Sequence, residues 1–254
     1  MKSKTGVLFG RLMRHILRSP DTIITVAIMP IMIMLLFVYV FGGAIKTSIG
    51  HNVNYVSYLL PGILLMAIAS GIAYTAYRLF MDVQKGIFQR FNSMPIKSSS
   101  ALWGHVLTSL VSNMITVVVI FLVALIMGFR SSAGILEWLA VAGILVLFTL
   151  ALTWIAVIPG ITAKSMEGAS AFSYPLLFLP FISSAFVPTN TMPTAIRVFA
   201  GNQPVTSIVD SIRALLSNQP VGNDIGIALA WCVVIMVVAY FFAMRAYKRK
   251  ALNL

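Results

Sequence analysis

Six apolar stretches, none with a charge in its interior, fill most of this 254-residue chain. They cover residues 23–41, 56–77, 106–129, 138–158, 171–187 and 225–244. A bilayer core of about 30 Å is crossed by about 20 apolar residues of helix, and each stretch comes within reach of that length once tilt is allowed. Lipid offers backbone groups no partner, so segments of this kind must be helical. The pattern predicts an all-α integral membrane protein with six transmembrane helices, folded as a single transmembrane domain over 1–254.

Composition and charge agree. Residues are 59% hydrophobic and 9% charged, mean hydropathy is +0.96, and the connecting segments are too short for a soluble domain. The net charge of +12 would suit nucleic acid, but its placement does not. With the N-terminus taken as cytoplasmic, Lys2, Lys4, Arg11, Arg14, Arg18, Arg78, Lys85, Arg90, Lys97, Lys164, Arg245, Lys248, Arg249 and Lys250 fall inside, fourteen in all. Only Lys46, Arg130, Arg197 and Arg213 fall outside. Such a bias sets topology, and it places both termini in the cytoplasm. The single cysteine, Cys232, excludes an internal disulfide and a thiolate metal cluster. His15, His51 and His105 sit on three different segments, which argues against a metal site. The first apolar run starts after Pro20 with no small-residue cleavage site behind it, unlike a signal peptide.

The connecting segments carry the remaining information. Residues 5–18 read as an amphipathic helix, with Leu8, Phe9, Leu12, Met13, Ile16 and Leu17 on one side and Arg11, Arg14, His15 and Arg18 on the other. It lies at the membrane surface as a topology anchor, or also touches a cytoplasmic partner. Asp21 is placed to cap the first span, and Pro30 to kink it. Within the cytoplasmic loop 81–105, Val83, Ile87 and Phe91 recur at helical spacing until Asn92-Ser93-Met94-Pro95 breaks the run. Ser98, Ser99 or Ser100 then caps the third span. A folded element in a loop that needs only a few residues suggests docking, with burial in lipid headgroups as the alternative. The fourth span is expected to end at Pro159-Gly160. The fifth stretch contains Pro175 and Pro180, and so should be kinked or partly unwound, lining a cavity or merely packed. Residues 188–223 are too apolar for a free loop and too short to span. They read as two short helices, 192–200 and 205–216, dipping into the outer leaflet or capping the bundle from outside.

No Gly-Lys pair occurs, so there is no P-loop, and neither Gly-x-Ser-x-Gly nor His-Glu-x-x-His is present. All six acids lie at span ends or in loops, whereas an ion-coupled transporter usually holds an ionisable group at mid-membrane. Mid-membrane polarity is limited to groups such as Asn113, Thr116, Thr149, Thr153, Ser183 and Ser184, which serve as interhelical glue or contact a substrate. The chain reads as a passive conduit driven from outside itself.

Four segments resemble the membrane subunit of bacterial type-2 ABC exporters, the class that includes the daunorubicin-resistance permeases. These are Leu36-Phe37-Val38-Tyr39-Val40-Phe41-Gly42-Gly43-Ala44, then Tyr58-Leu59-Leu60-Pro61-Gly62-Ile63, then Lys85-Gly86-Ile87-Phe88-Gln89-Arg90 through Met94-Pro95-Ile96 and Leu102-Trp103-Gly104-His105. The fourth comprises Phe186-Val187-Pro188, Met192-Pro193, Asn202-Gln203-Pro204-Val205-Thr206 and Asp210-Ser211-Ile212-Arg213. Gln89 stands where the family often has an acid. The resemblance implies a permease without an ATPase site or cofactor of its own. It would pair with a second copy or a paralogous permease, above two ATP-binding cassette subunits that carry ATP and Mg. A coupling helix with Lys85, Ile87, Phe88, Gln89, Arg90 and Phe91 would contact the ATPase. A connecting helix within 1–20, with Arg11, Arg14 and Arg18, would contact it too. The path would follow the second and fifth spans, with Tyr74, Phe178, Phe181, Ser183 and Ser184 lining it, and 188–223 would close it from outside. The expected function is export of a hydrophobic or amphipathic drug, antibiotic or lipid-like molecule across the bacterial cytoplasmic membrane. Competing expectations are an ATP-independent secondary transporter or channel, and an intramembrane enzyme or scaffold.

Overall fold

The computed structural model describes residues 20–43, 54–86 and 98–252, and among the described residues there are helices, turns, bends and short irregular connections but no strand. The helices are α1 (Pro20–Leu35), α2 (Tyr55–Gln84), α3 (Ser98–Ile126), α4 (Ile135–Thr162), α5 (Met166–Ala171), α6 (Ser173–Phe178), α7 (Thr194–Asn202), α8 (Pro204–Leu216) and α9 (Asp224–Leu252). A π-helical turn, Leu36–Phe41, prolongs α1. Because Pro20 is already helical, Asp21 falls inside the first turn instead of capping it. Helix α3 begins at Ser98, so the serines expected to cap it are within it. Helix α4 runs past Pro159 to Thr162. Helices α2, α3 and α4 all extend beyond their apolar stretches, because composition marks only the part that meets hydrocarbon.

Among the described residues five helices are long and apolar enough to cross a membrane; the fifth apolar stretch is not one continuous helix. It divides into the last residue of α5, α6, the 3₁₀ turn Leu179–Ile182 and an irregular run to Val187. The prolines cause the division. Each lacks a donor and clashes with the carbonyl four residues back. Pro175 therefore lies in the first turn of α6, and Pro180 in the first turn of the 3₁₀ segment. Ser183 closes the break, its Oγ donating to Pro180 O at 2.6 Å and accepting from Ala185 N at 3.1 Å.

Helix α2 is the axis of the bundle. Its most apolar window is 78% buried, against 17% for the windows on α1 and α9. It packs on α1, α3, α4, α5, α6 and α8, while α9 packs mainly on α4 and α8. The most enclosed helix is also the least apolar of the five, as expected where lipid, not water, surrounds the bundle. Close approach depends on small residues. A Cβ at Gly62 would stand 2.5 Å from Ala185 Cβ, and one at Gly160 would stand 2.9 Å from Leu79 Cδ2. At one end of the bundle Trp154 lies edge-on between Trp103 and Tyr240, at 5.2 and 4.8 Å. This end, where α2 leads into residues 85–97, is the base; the opposite end, carrying 188–223, is the cap.

Gly62→Ala should lower thermal stability in detergent by about 2 kcal/mol, the usual scale of overpacking. Adding Ala185→Gly should restore most of the loss, since it removes the atom the new methyl meets.

Candidate functional site

At the cap, a polar latch joins three separated segments. Arg213 on α8 pairs with Asp210 one turn earlier, Nη1 to Oδ1 at 2.5 Å. Its Nη2 donates to Ser184 O at 2.8 Å and to Tyr58 O at 3.2 Å, and its Nε donates to Tyr58 O at 3.3 Å. The guanidinium lies 3.9 Å from the centre of the Tyr58 ring. Tyr58 Oη donates to Ser184 O at 3.0 Å, and Ser184 Oγ to Asp210 Oδ1 at 2.7 Å. One cation thus ties the start of α2, the irregular run after the 3₁₀ turn, and α8. Gln203, between α7 and α8, donates through Nε2 to Ile182 O and so binds the end of the 3₁₀ turn just before that run. The α3–α4 turn joins in, with Ser131 Oγ donating to Leu216 O at 2.8 Å and Asn54 Nδ2 donating to Gly128 O at 2.9 Å. Helix α8 is mostly buried, whereas α7 exposes Ile196, Val198 and Phe199.

In the middle of the bundle three hydroxyls, one from each helix, connect α2, α3 and α4. Thr75 Oγ1 lies 2.8 Å from Ser109 Oγ, which lies 3.4 Å from Thr153 Oγ1. Asn113 Nδ2 donates to Ser109 O at 2.9 Å. Thr116 and Thr149 instead return their hydroxyls to Ser112 O and Leu145 O on their own helices. Of the mid-membrane polar groups expected to act between helices, Thr153 and Ser184 do so.

At the base, His105 Nε2 meets Asp82 Oδ2 at 3.2 Å, clasping the end of α2 to the start of α3 beside residues 85–97. Lys85 is the C-cap of α2 and is exposed, with its backbone N donating to Met81 O at 3.0 Å. Ile87, Phe88, Gln89, Arg90 and Phe91 lie outside the described residues, as do Arg11, Arg14 and Arg18.

Of the five residues expected to line the path, Phe178 and Phe181 stand together, ring centres 6.3 Å apart, with Ser183 and Ser184 following in the same segment, while Tyr74 meets Tyr77 and Arg78 on its own helix. Tyr74 sits low on α2, 4.4 Å beneath the Arg78 guanidinium. Phe178 and Phe181 face outward near the cap, within an aromatic cluster in which Phe181 stacks on Phe186 at 4.7 Å and Phe186 meets Phe37 of the π-helical turn at 4.8 Å. Ser183 and Ser184 are buried with their hydroxyls engaged. Sequence reading missed the latch, although Asp210 and Arg213 stand at helical i, i+3 spacing on an otherwise apolar helix, itself a signal of pairing. Among the described residues no group of three or more His, Cys, Asp or Glu is placed to hold a metal ion.

The broken fifth segment packs against a central α2, under a latched helical cap. Residues 3–217 match the ABC-2 type transporter family, and the chain belongs to it. It is 30% identical over 254 residues to the daunorubicin resistance ABC transporter permease protein DrrB1 of Streptomyces coeruleorubidus, covering 98% of this chain and 87% of that one. It is 25% identical over 250 residues to the probable doxorubicin resistance ABC transporter permease protein DrrC of Mycobacterium tuberculosis, covering 97% and 89%. A putative transport permease, ycf38, of Porphyra purpurea is 25% identical over 214 residues, covering 83% and 73%. The protein is therefore a multi-pass ABC transporter permease.

Arg213→Gln should lower thermal stability by about 2 kcal/mol, as expected for charge-assisted hydrogen bonds in a partly exposed pair. It should also expose 188–203 to protease. Tyr58→Phe, which loses one neutral hydrogen bond, should cost about 1 kcal/mol and leave the cap resistant.

Proposed function

We propose that this permease is half of the conduit of an ATP-driven exporter, working with a second copy or a paralogous permease above two separate ATP-binding cassette chains. Family membership over residues 3–217 carries the reading. The placement of charge supports it. Two of the acids near the bundle ends are paired structurally, Asp82 with His105 and Asp210 with Arg213. Neither pair is at mid-span, where an ion-coupled mechanism would need an ionisable group. ATP and Mg would belong to the partner chain. The partner would grip residues 82–91 and the basic face of the N-terminal segment at the base.

The cargo is a hydrophobic or amphipathic small molecule. The relatives named for daunorubicin and doxorubicin resistance support this, as do the exposed aromatic faces of Phe178 and Phe181. The membrane would be the bacterial cytoplasmic membrane, with both termini and the base inside and the cap outside, an orientation that the fourteen-to-four division of Lys and Arg supports.

Coupling is tested at the aromatic anchors. Truncating a gripped aromatic typically costs about 2 kcal/mol or more, and a rim charge far less. Phe88→Ala or Phe91→Ala should release the ATPase or uncouple it from drug efflux without unfolding the spans, whereas Lys85→Ala should be milder and salt-sensitive. Normal efflux and normal ATPase copurification in both aromatic variants would contradict this docking mode.

Orientation is tested by cysteine labelling in a Cys232→Ala background. Cysteines at Asn190 and Gln219 should react with an impermeant reagent from outside intact cells. Gln219 is preferred to its neighbour Asn218, whose φ of 50° would strain a cysteine. Labelling only after permeabilisation would reverse the topology.

A further inference from the structure

Arg78 is the first residue beyond the second apolar stretch, six residues before the end of α2, about 9 Å along the helix. That depth is the headgroup level of a leaflet. Long side chains on a helix lean toward its N-terminus, and Arg78 does so, carrying its guanidinium over the Tyr74 ring. The group enters a cavity of about 20 Å³, bounded by α2, by Ser112 and Asn113 on α3 and by Val26 on α1. A single water needs about 10–15 Å³, so the space takes one or two oxygen-sized groups.

No acid lines the cavity, and the buried acceptor in it that has no partner among the described residues, Asn113 Oδ1, is neutral. Arg78 Nε and Nη2 are buried with no hydrogen-bond partner among the described residues. The ring beneath offers its face, which does not satisfy N–H groups lying in the guanidinium plane. Asp82, one turn further along α2, is the nearest acid in sequence, but it is held by His105 at 3.2 Å. A desolvated cation left in this state is costly, and a planar guanidinium edge fits the paired oxygens of a phosphate or carboxylate.

We propose that Arg78 and this cavity bind a phosphate or carboxylate group, with Nε and Nη2 donating to its oxygens and Ser112 beside it. The depth favours an anionic lipid of the adjoining leaflet, whose headgroup would reach Arg78 between α1 and α3. The site needs the spans to be in a membrane, but it needs no transport activity. It is therefore tested apart from the exporter reading.

The test uses the purified full chain in nanodiscs of phosphatidylcholine with added phosphatidylglycerol, and native mass spectrometry to count retained phosphatidylglycerol. Wild type should retain it, and Arg78→Gln should lose about tenfold in occupancy, the scale of one charge-assisted contact. Ser112→Asp, which supplies a carboxylate from within, should displace the lipid equally while the arginine stays, so the test survives if Arg78→Gln fails to fold. Lys248→Gln, away from the cavity, should retain wild-type occupancy. In a second arm, inorganic phosphate is titrated in detergent. A rise in melting temperature that needs Arg78, without lipid retention, would keep the anion site and assign it to a soluble ion. Equal lipid retention in wild type and both cavity variants, with no phosphate effect, would leave only water in the cavity and overturn the proposal.

Discussion

Lipid supplies no hydrogen-bond partner, so polar groups within the spans must be satisfied by the chain itself. Helix α2 is where this is done. Its start holds the cap through Tyr58, its middle meets α3 and α4 through Thr75, and its end is clasped to α3 through Asp82. Gly62 lets the irregular fifth segment approach it, and that contact makes a broken helix tolerable at membrane depth. The outer helices α1 and α9 need no such groups and present nearly continuous apolar surface.

The same helix gives the proposed mechanism a physical route. At 30 residues, α2 runs about 45 Å, from the latch at the cap to Lys85 at the mouth of the loop assigned to the ATPase. Helices α5 and α6 and the 3₁₀ turn pack along it. A displacement of its lower end would therefore be carried toward the Tyr58–Arg213 contact along one continuous helix, with Pro61 as a joint just below that contact. Short helical pieces divided by Pro175 and Pro180 offer joints at which the fifth segment can follow.

Much of this architecture was legible in the chain. Apolar runs located the five long helices, Pro175 and Pro180 foretold a broken fifth segment, and residues 192–200 and 205–216 anticipated α7 and α8 to within two residues at each end. The end of α4 beyond the hydrocarbon was misplaced, at Thr162 instead of Pro159-Gly160, because hydropathy is silent there. The latch was illegible for a different reason. Tyr58 and Arg213 are 155 positions apart, and only the folded chain brings them together. Mid-membrane hydroxyls could not be sorted by sequence either, since Thr149 and Thr153 look alike until Ser109 is seen beside one of them.

The central claim is that this chain conducts but does not drive. Reconstitution in vesicles, with an anthracycline as cargo and its accumulation as the readout, tests it most directly. The account predicts no directed transport by the permease alone under a proton or sodium gradient. It predicts uptake into inside-out vesicles once the cognate ATP-binding subunit and Mg-ATP are added. Directed, gradient-driven accumulation by the permease alone would contradict it.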